Sequence, residues 1–152
     1  MKKRVKIQWF VYALVFALFL YIGYKVPYCH DEWRWGTDAR FQLMKRGFAG
    51  YNGRYLGNLL AVLITRSVMA KTLVIAVGVV WLFHVMYKNI YFKEEKKTKE
   101  DLFLLLSCAF LILSLPATLF QQSYGWPAAF VNFVPPVFLF LIYYTMYVPV
   151  HQ

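Results

Sequence analysis

The sequence predicts an all-α fold, a polytopic bundle of transmembrane helices with a short amphipathic interfacial helix after the first span. Of its 152 residues, 61% are hydrophobic and 20% aromatic. Only 16% are charged, against about 25% in soluble domains. Four apolar runs approach the roughly 20 residues that a helix needs to cross a bilayer. In lipid a helix satisfies its own backbone hydrogen bonds, which an open strand cannot do.

The whole chain, residues 1–152, is expected to form a single membrane domain. Its predicted spans are residues 7–24, 67–87, 102–120 and 129–148. A long polar segment, residues 25–66, follows the first span, and a shorter one, residues 88–101, follows the second. The last two spans or their junction are expected to be interrupted by prolines, namely Pro116, Pro127, Pro135 and Pro136.

The N-terminus has the charge layout of a signal peptide, with basic residues ahead of an apolar run. The run from 7 to 24 is long for a signal peptide, however, and no small-residue cleavage site follows it. Bulky Pro27 and Tyr28 before Cys29 also exclude a lipoprotein signal. We therefore expect an uncleaved first span.

Basic residues set the expected orientation. The N-terminus and residues 88–101 are both rich in lysine, which the positive-inside rule places in the cytoplasm. Both termini are then cytoplasmic, and residues 25–66 lie outside. This outer segment nevertheless carries seven basic residues of its own, which indicates an anionic ligand or a headgroup layer. The net charge of +10 is explained by membrane topology and headgroups, so no nucleic-acid partner is expected.

Two short helices are predicted in the outer segment. Thr37 to Gly47 reads as an amphipathic interfacial helix, with Thr37 as its cap and Gly47 as its end. It places Phe41, Met44 and Phe48 on one face. A second helix begins near Arg54, because four leucines follow at helical spacing. Two glycines at its start, Gly53 and Gly57, would let another backbone approach.

The adjacent carboxylates Asp31 and Glu32 are the first candidate site, only a few residues beyond the first span. A carboxylate at the membrane surface can act as a general base or bind an acceptor near a lipid-held substrate. The alternative is a solvated acidic pair that balances Arg34. Spacing alone leaves both open.

The second candidate site combines Arg54 and Asn58, which stand four residues apart and would share a helix face. A guanidinium beside free helix N–H groups suits a phosphate, and neighbouring Tyr55 is included in this substrate-binding set. Equally, Arg54 could reach to headgroups while Asn58 caps or packs. Aromatic rings nearby could stack on sugars or form an interfacial belt, namely Tyr28, Trp33, Trp35 and Tyr51.

Metal binding, a disulfide and proton-coupled transport have weaker support in the sequence. His30 has no further ligands at metal spacing, and the two cysteines, Cys29 and Cys108, lie at different expected depths. No metal, other cofactor or nucleotide loop is predicted. The predicted span interiors also lack Asp and Glu, which argues against a proton-coupled transporter.

Three stretches together carry a family resemblance: HDEWRWGTDARF at 30–41, YNGRYLGNLL at 51–60 and QSYGWPAAFVNFVPP at 122–136. The chain resembles polytopic bacterial membrane glycosyltransferases of the GT-C type, related to serotype-modifying glucosyltransferases. The resemblance implies transfer of a sugar from a polyprenyl-phosphate donor to a cell-envelope glycan at the outer face of the plasma membrane. It implies that Asp31 is the general base, that Glu32 positions the acceptor and that Arg54 holds the donor phosphate.

The chain departs from that family in two ways. Members usually have many more spans, so we expect a truncated reading frame, part of a split enzyme or a degenerate copy. The third stretch has Ser123, Tyr124 and Gly125 where the family has Asn before an aromatic residue. The alternative function is a non-enzymatic scaffold or accessory subunit of an envelope-polysaccharide complex, with further membrane subunits as partners.

Overall fold

The fold was taken from a computed structural model, which describes residues 2–29, 31–90 and 98–147. These residues form eight helices and no strand, so the predicted all-α class is confirmed. In chain order the helices are α1 (Lys2–Lys25), α2 (Glu32–Trp35), α3 (Asp38–Lys45), α4 (Tyr55–Ile64), α5 (Val68–Ile90), α6 (Thr98–Leu113), α7 (Ala117–Ser123) and α8 (Pro127–Tyr147).

Three of the described helices are long and apolar enough to cross a membrane, covering Lys6–Lys25, Val68–Asn89 and Pro127–Tyr147. The predicted third span is not one continuous helix. It consists of α6 and α7, which meet at an angle of 86°. Pro116 has extended backbone angles, φ −51° and ψ 145°, and a proline also disfavours helical geometry in the residue before it. The bundle therefore has three spans, or four when this bent pair counts as one.

Pro135 and Pro136 do not interrupt α8, which runs through both. Pro127 is the first residue of that helix. At this position a proline is well tolerated, because its missing N–H would have no partner within the helix. Only Pro116 therefore breaks a predicted span.

Hydrogen bonds show which helix ends lie together. Gln8 near the start of α1 donates to Asp101 at the start of α6, at 2.6 Å, and to Tyr87 near the end of α5, at 3.2 Å. Thr145 near the end of α8 donates to Asn89 at the end of α5, at 2.8 Å. We call this the closed end of the bundle. The start of α1 and the end of α8 thus lie on the same side, as the sequence predicts.

α5 is the central helix and packs against α1, α4, α6 and α8. Its buried side chains contribute to the core together with those of these four helices, among them Phe19, Val62, Ile75, Phe83, Leu105 and Phe130. Gly78 lets α8 come close, because a Cβ there would lie 2.8 Å from Cζ of Phe130. Small residues at such contacts are typical of helix packing in membranes.

The outer faces of the long helices carry large apolar side chains. Exposed residues of this kind occur on α1, α5, α6 and α8, for example Trp9, Phe10, Trp81, Phe110 and Phe140. Water-soluble monomers rarely expose apolar surface on this scale. Lipid contact explains these faces, in agreement with the span lengths.

The opposite end of the bundle, which we call the loop end, carries residues 26–29 and 31–66. α3 confirms the predicted short helix; it ends at Lys45, and Gly47, with a φ of +62°, follows two residues later as the expected terminating glycine. α4 is a separate helix, since Thr65, Arg66 and Ser67 divide it from α5. Of the two glycines at its start, Gly57 makes a close approach, because a Cβ there would collide with Oδ1 of Asn132 on α8. Gly53 makes no such approach, because a Cβ there would meet nothing within 4 Å.

Candidate functional site

The side chains of the adjacent residues Asp31 and Glu32 lie in different surroundings. Glu32 is 1% exposed. Its Oε2 accepts the backbone N–H of Cys29 at 2.8 Å, and its Oε1 accepts that of Ala128 at 2.7 Å. Ala128 is the second residue of α8, so the carboxylate lies at the positive end of that helix dipole. Oε1 of Glu32 thereby fastens the outer segment to α8, and Oε2 holds the chain that leaves α1.

Asp31, in contrast, is exposed. It is the N-cap residue of α2, and its side chain makes no capping hydrogen bond. Its backbone carbonyl accepts the N–H groups of Arg34 and Trp35 at 2.9 and 3.0 Å. The Asp31 carboxylate is therefore free to meet a ligand, while the neighbouring Glu32 holds the short helix in place.

A buried lysine completes the attachment of this segment. Lys71, in the first turn of α5, is 2% exposed, and its ammonium donates to the carbonyl of Val26 just after α1. The same ammonium lies 4.5 Å from the ring centroid of Tyr28, whose hydroxyl donates to the carbonyl of Ile64 at 2.8 Å. The ends of α1 and α4 are thus tied to the start of α5 within one buried polar cluster.

Burial raises the pKa of the Glu32 carboxyl above its usual range. The hydrogen bonds from Cys29 and Ala128 and the positive charge of Lys71 act in the opposite direction without reversing this. The pKa of the Cys29 thiol is also raised, first by burial and then by the charges of Glu32 and Asp31. A raised thiol pKa makes Cys29 a poor nucleophile.

The second candidate site is organised by a residue that the sequence reasoning missed, Asn52. Its Oδ1 accepts the backbone N–H of Arg54 at 3.1 Å and the side-chain amide of Asn58 at 2.8 Å. Asn58 is 2% exposed, so it packs and fixes the loop. Arg54 is exposed at the start of α4. The only signal for Asn52 was its Asn-Gly pair, which is typical of a turn.

The aromatic rings singled out for substrate binding or stacking divide into two groups. Trp33 and Tyr55 are 68% and 58% exposed, and Trp33 meets Tyr28 edge-on. Trp35 is buried and contacts Phe48 and Tyr51. The exposed rings can meet a ligand, whereas Trp35 supports the structure of the loop end.

Phe48 packs against this aromatic group, and its own backbone is strained. Its φ is +56°, in the left-handed region that costs a residue with a side chain about 1–2 kcal/mol. The turn satisfies two helix carbonyls, because the N–H of Gly47 donates to Met44 and that of Phe48 donates to Leu43. Burial of the Phe48 ring against Trp35 offsets the strain.

A further polar group, also missed by the sequence reasoning, lies at the closed end. Asp101 is 1% exposed and accepts hydrogen bonds from Tyr87 and Gln8. α6 begins before the predicted span, so this carboxylate lies inside a helix. The sequence signal was Gln8, a polar residue within an apolar run. The contacts tie α1, α5 and α6 together.

Metal binding has no support among the described residues, which contain no group of three His, Cys, Asp or Glu side chains that could hold an ion. His30 lies outside the described residues. Cys29 and Cys108 are both free thiols.

The fold and this site define a polytopic α-helical membrane protein with a folded, basic polar segment at one end of its bundle. No family model, no curated protein and no solved structure matches the chain.

Proposed function

We propose that the chain is a membrane glycosyltransferase, or part of one, that moves a sugar from a polyprenyl-phosphate donor to a cell-envelope glycan. The loop end then faces the outside of the plasma membrane, with both termini in the cytoplasm. The observation that carries the proposal is the exposed Asp31 carboxylate on a helix that Glu32 fastens to α8. A base held firmly at the bilayer surface suits a lipid-linked donor.

The reaction assigns a distinct role to each charged group. Asp31 takes the proton from the acceptor hydroxyl as the acceptor oxygen bonds to the anomeric carbon of the sugar. The bond between that carbon and the phosphate oxygen breaks, and the phosphate leaves with the electron pair. Arg54 stabilises the negative charge of the leaving phosphate. Glu32, with both oxygens already bonded to backbone N–H groups, acts as a positioning residue for Asp31.

The exposed aromatic rings supply the binding surface in this scheme. Trp33 lies in α2, two residues after Asp31, and Tyr55 follows Arg54 at the start of α4. Both present a large apolar face to a ligand, as stacking on a sugar ring requires. Asn58 contributes indirectly, since its amide donates to Asn52, whose Oδ1 also accepts the N–H of Arg54.

Complementation of a deletion strain tests the proposal. Cells that lack the gene would receive the wild-type chain, Asp31→Asn or Asp38→Asn, and the sugar composition of their surface glycan would be measured. Asp38 is the matched control, because it is an exposed carboxylate of the same segment whose partner is Arg66. We expect Asp31→Asn to reduce transfer by about 100-fold or more and Asp38→Asn to retain it. Full transfer by Asp31→Asn would remove Asp31 from the mechanism.

A second candidate function is a non-enzymatic accessory subunit of an envelope-polysaccharide complex. It is favoured by the structural use of Glu32, both of whose oxygens bind backbone N–H groups. The same strains separate the two functions. An accessory subunit predicts that deletion alters the glycan, while Asp31→Asn restores it completely.

A further inference from the structure

A shallow basic depression lies on the loop end, between α2 and α3. Its volume is about 380 Å³, at the lower end of the range typical of small-ligand sites. The lining residues come from both helices and the turn between them: Arg34, Thr37, Ala39, Arg40 and Leu43. Two guanidinium groups therefore share one small concave surface.

The Arg40 guanidinium is held in a corner between two aromatic rings. Its central carbon lies 5.1 Å from the ring centroid of Trp35 and 4.5 Å from that of Tyr51. The two rings are nearly perpendicular, at 85°. A guanidinium held against aromatic faces keeps its in-plane N–H donors for an oxyanion, and less entropy is lost when the anion binds.

The acid nearest in sequence to Arg40 is paired elsewhere. The carboxylate of Asp38 lies on α3 beside it, but its ion-pair partner is Arg66, at 3.4 Å. Arg66 also donates to the carbonyl of Thr37 at 2.9 Å. Within the described part of the chain, Arg34 and Arg40 form no ion pair with a carboxylate. Their positive charge is available to an external anion.

The depression is fixed close to the membrane. Glu32 on α2 binds the start of α8, and Gly36 at the end of α2 lies close to the carbonyl of Thr65, just before α5. The Phe48 ring, carried on a strained backbone, contacts the Trp35 ring edge-on. Strained residues of this kind concentrate at ligand-binding sites. The two arginines are thus held near the ends of two spans, where headgroup phosphates lie.

We propose that this depression binds the phosphate of an anionic lipid headgroup in the leaflet at the loop end. A phosphodiester supplies oxygens for the planar Arg40 donors and for Arg34 together. This site is separate from Arg54 and requires no sugar transfer, so it stands or falls independently of the proposed function.

Lipid binding to the purified full chain in detergent tests the site. Short-chain phosphatidylglycerol and phosphatidylcholine would be titrated separately, and bound lipid would be counted by native mass spectrometry. We expect phosphatidylglycerol to bind about tenfold more tightly, and Arg34→Gln and Arg40→Gln each to weaken its binding by about tenfold, as for loss of a charged hydrogen-bond partner. Arg40→Lys should resemble Arg40→Gln, because an ammonium lacks the planar donors.

Arg46→Gln is the matched control, since it removes the same charge from the exposed end of α3, outside the depression. Less than a twofold change is expected there. An equal loss in Arg46→Gln, or equal affinity for the two lipids, would overturn the site in favour of general charge attraction. Arg34 is exposed, so Arg34→Gln keeps the test valid if Arg40→Gln fails to fold.

A competition experiment identifies the source of the phosphate. Inorganic phosphate would be added to the complex with phosphatidylglycerol, at the same concentration as the lipid. Retention of the lipid supports a headgroup site. Displacement of the lipid at those concentrations would overturn the headgroup assignment and point to a soluble phosphate instead.

Discussion

Glu32 on α2 accepts a hydrogen bond from the backbone N–H of Ala128 at the start of α8, at 2.7 Å and across 96 positions of the chain. Its other oxygen binds the N–H of Cys29, next to the end of the first span. One side chain thus connects the first and last long helices through the outer segment. The strength of this connection can be measured.

Replacing Glu32 by Ala should destabilise the protein by about 2 kcal/mol, because a buried N–H left without an acceptor costs about 1–3 kcal/mol. Unfolding in detergent, followed by circular dichroism, measures the change. The control is Asp31→Ala, which removes the adjacent but exposed carboxylate and should stay within about 0.5 kcal/mol. Equal effects of the two substitutions would show that the Ala128 contact adds nothing.

The raised pKa of Glu32 predicts a pH dependence of stability. The folded chain holds this proton more tightly than the unfolded chain, whose carboxyl has the ordinary pKa of 4.5. The stabilisation is complete below that pH and is lost as the pH rises through the folded-state pKa. Unfolding midpoints of the wild type and Glu32→Gln should therefore be compared at increasing pH. We expect the wild type to lose stability relative to Glu32→Gln, and a constant difference would contradict the raised pKa.

Gly78→Ala should separate α5 from α8. The added Cβ would lie 2.8 Å from Cζ of Phe130, a fully buried ring, and overpacking of this kind costs about 1–3 kcal/mol. Gly53→Ala is the control, because a Cβ there meets nothing within 4 Å. Combining Gly78→Ala with Phe130→Leu should recover part of the loss, as expected for two residues in direct contact. Additive losses in the double variant would argue against this contact.

Arg54→Ala should weaken binding of undecaprenyl phosphate more than binding of the glycan acceptor, since its proposed partner is the donor phosphate. Asn52→Ala should produce a smaller loss of the same kind, because Asn52 fixes the backbone of Arg54. Unchanged donor affinity in Arg54→Ala would reject its phosphate role.

Local patterns predicted much of the fold. The apolar runs marked α1, α5 and α8, and Gly47 marked the end of α3. These features depend on residues close together in the chain. The run that produced the third predicted span is equally apolar, but hydropathy does not register the extended backbone at Pro116. Pro116 predicted where this run divides into α6 and α7, but not the 86° angle between the two helices.

The candidate site was less predictable, because its decisive contacts join distant parts of the chain. Asp31 and Glu32 are equivalent in sequence, and only the position of α8 makes Glu32 a buried acceptor. The burial of Lys71 was equally unpredictable, since its partner carbonyl belongs to Val26 at the end of another span. Asn58 was singled out as a polar residue at the start of α4, but its hydrogen-bond partner, Asn52, depends on the fold of the loop.

The bend between α6 and α7 bears on the bilayer itself. The apolar part of α6, residues 102–113, rises only about 18 Å, well short of a hydrocarbon layer of about 30 Å. α7 then turns away at 86°, so no straight helix fills the remaining depth. The hydrocarbon layer beside α6 is expected to become thinner, so that its thickness matches the short apolar length of this helix. The protein should therefore thin the bilayer locally on that side and prefer thin membranes to thick ones.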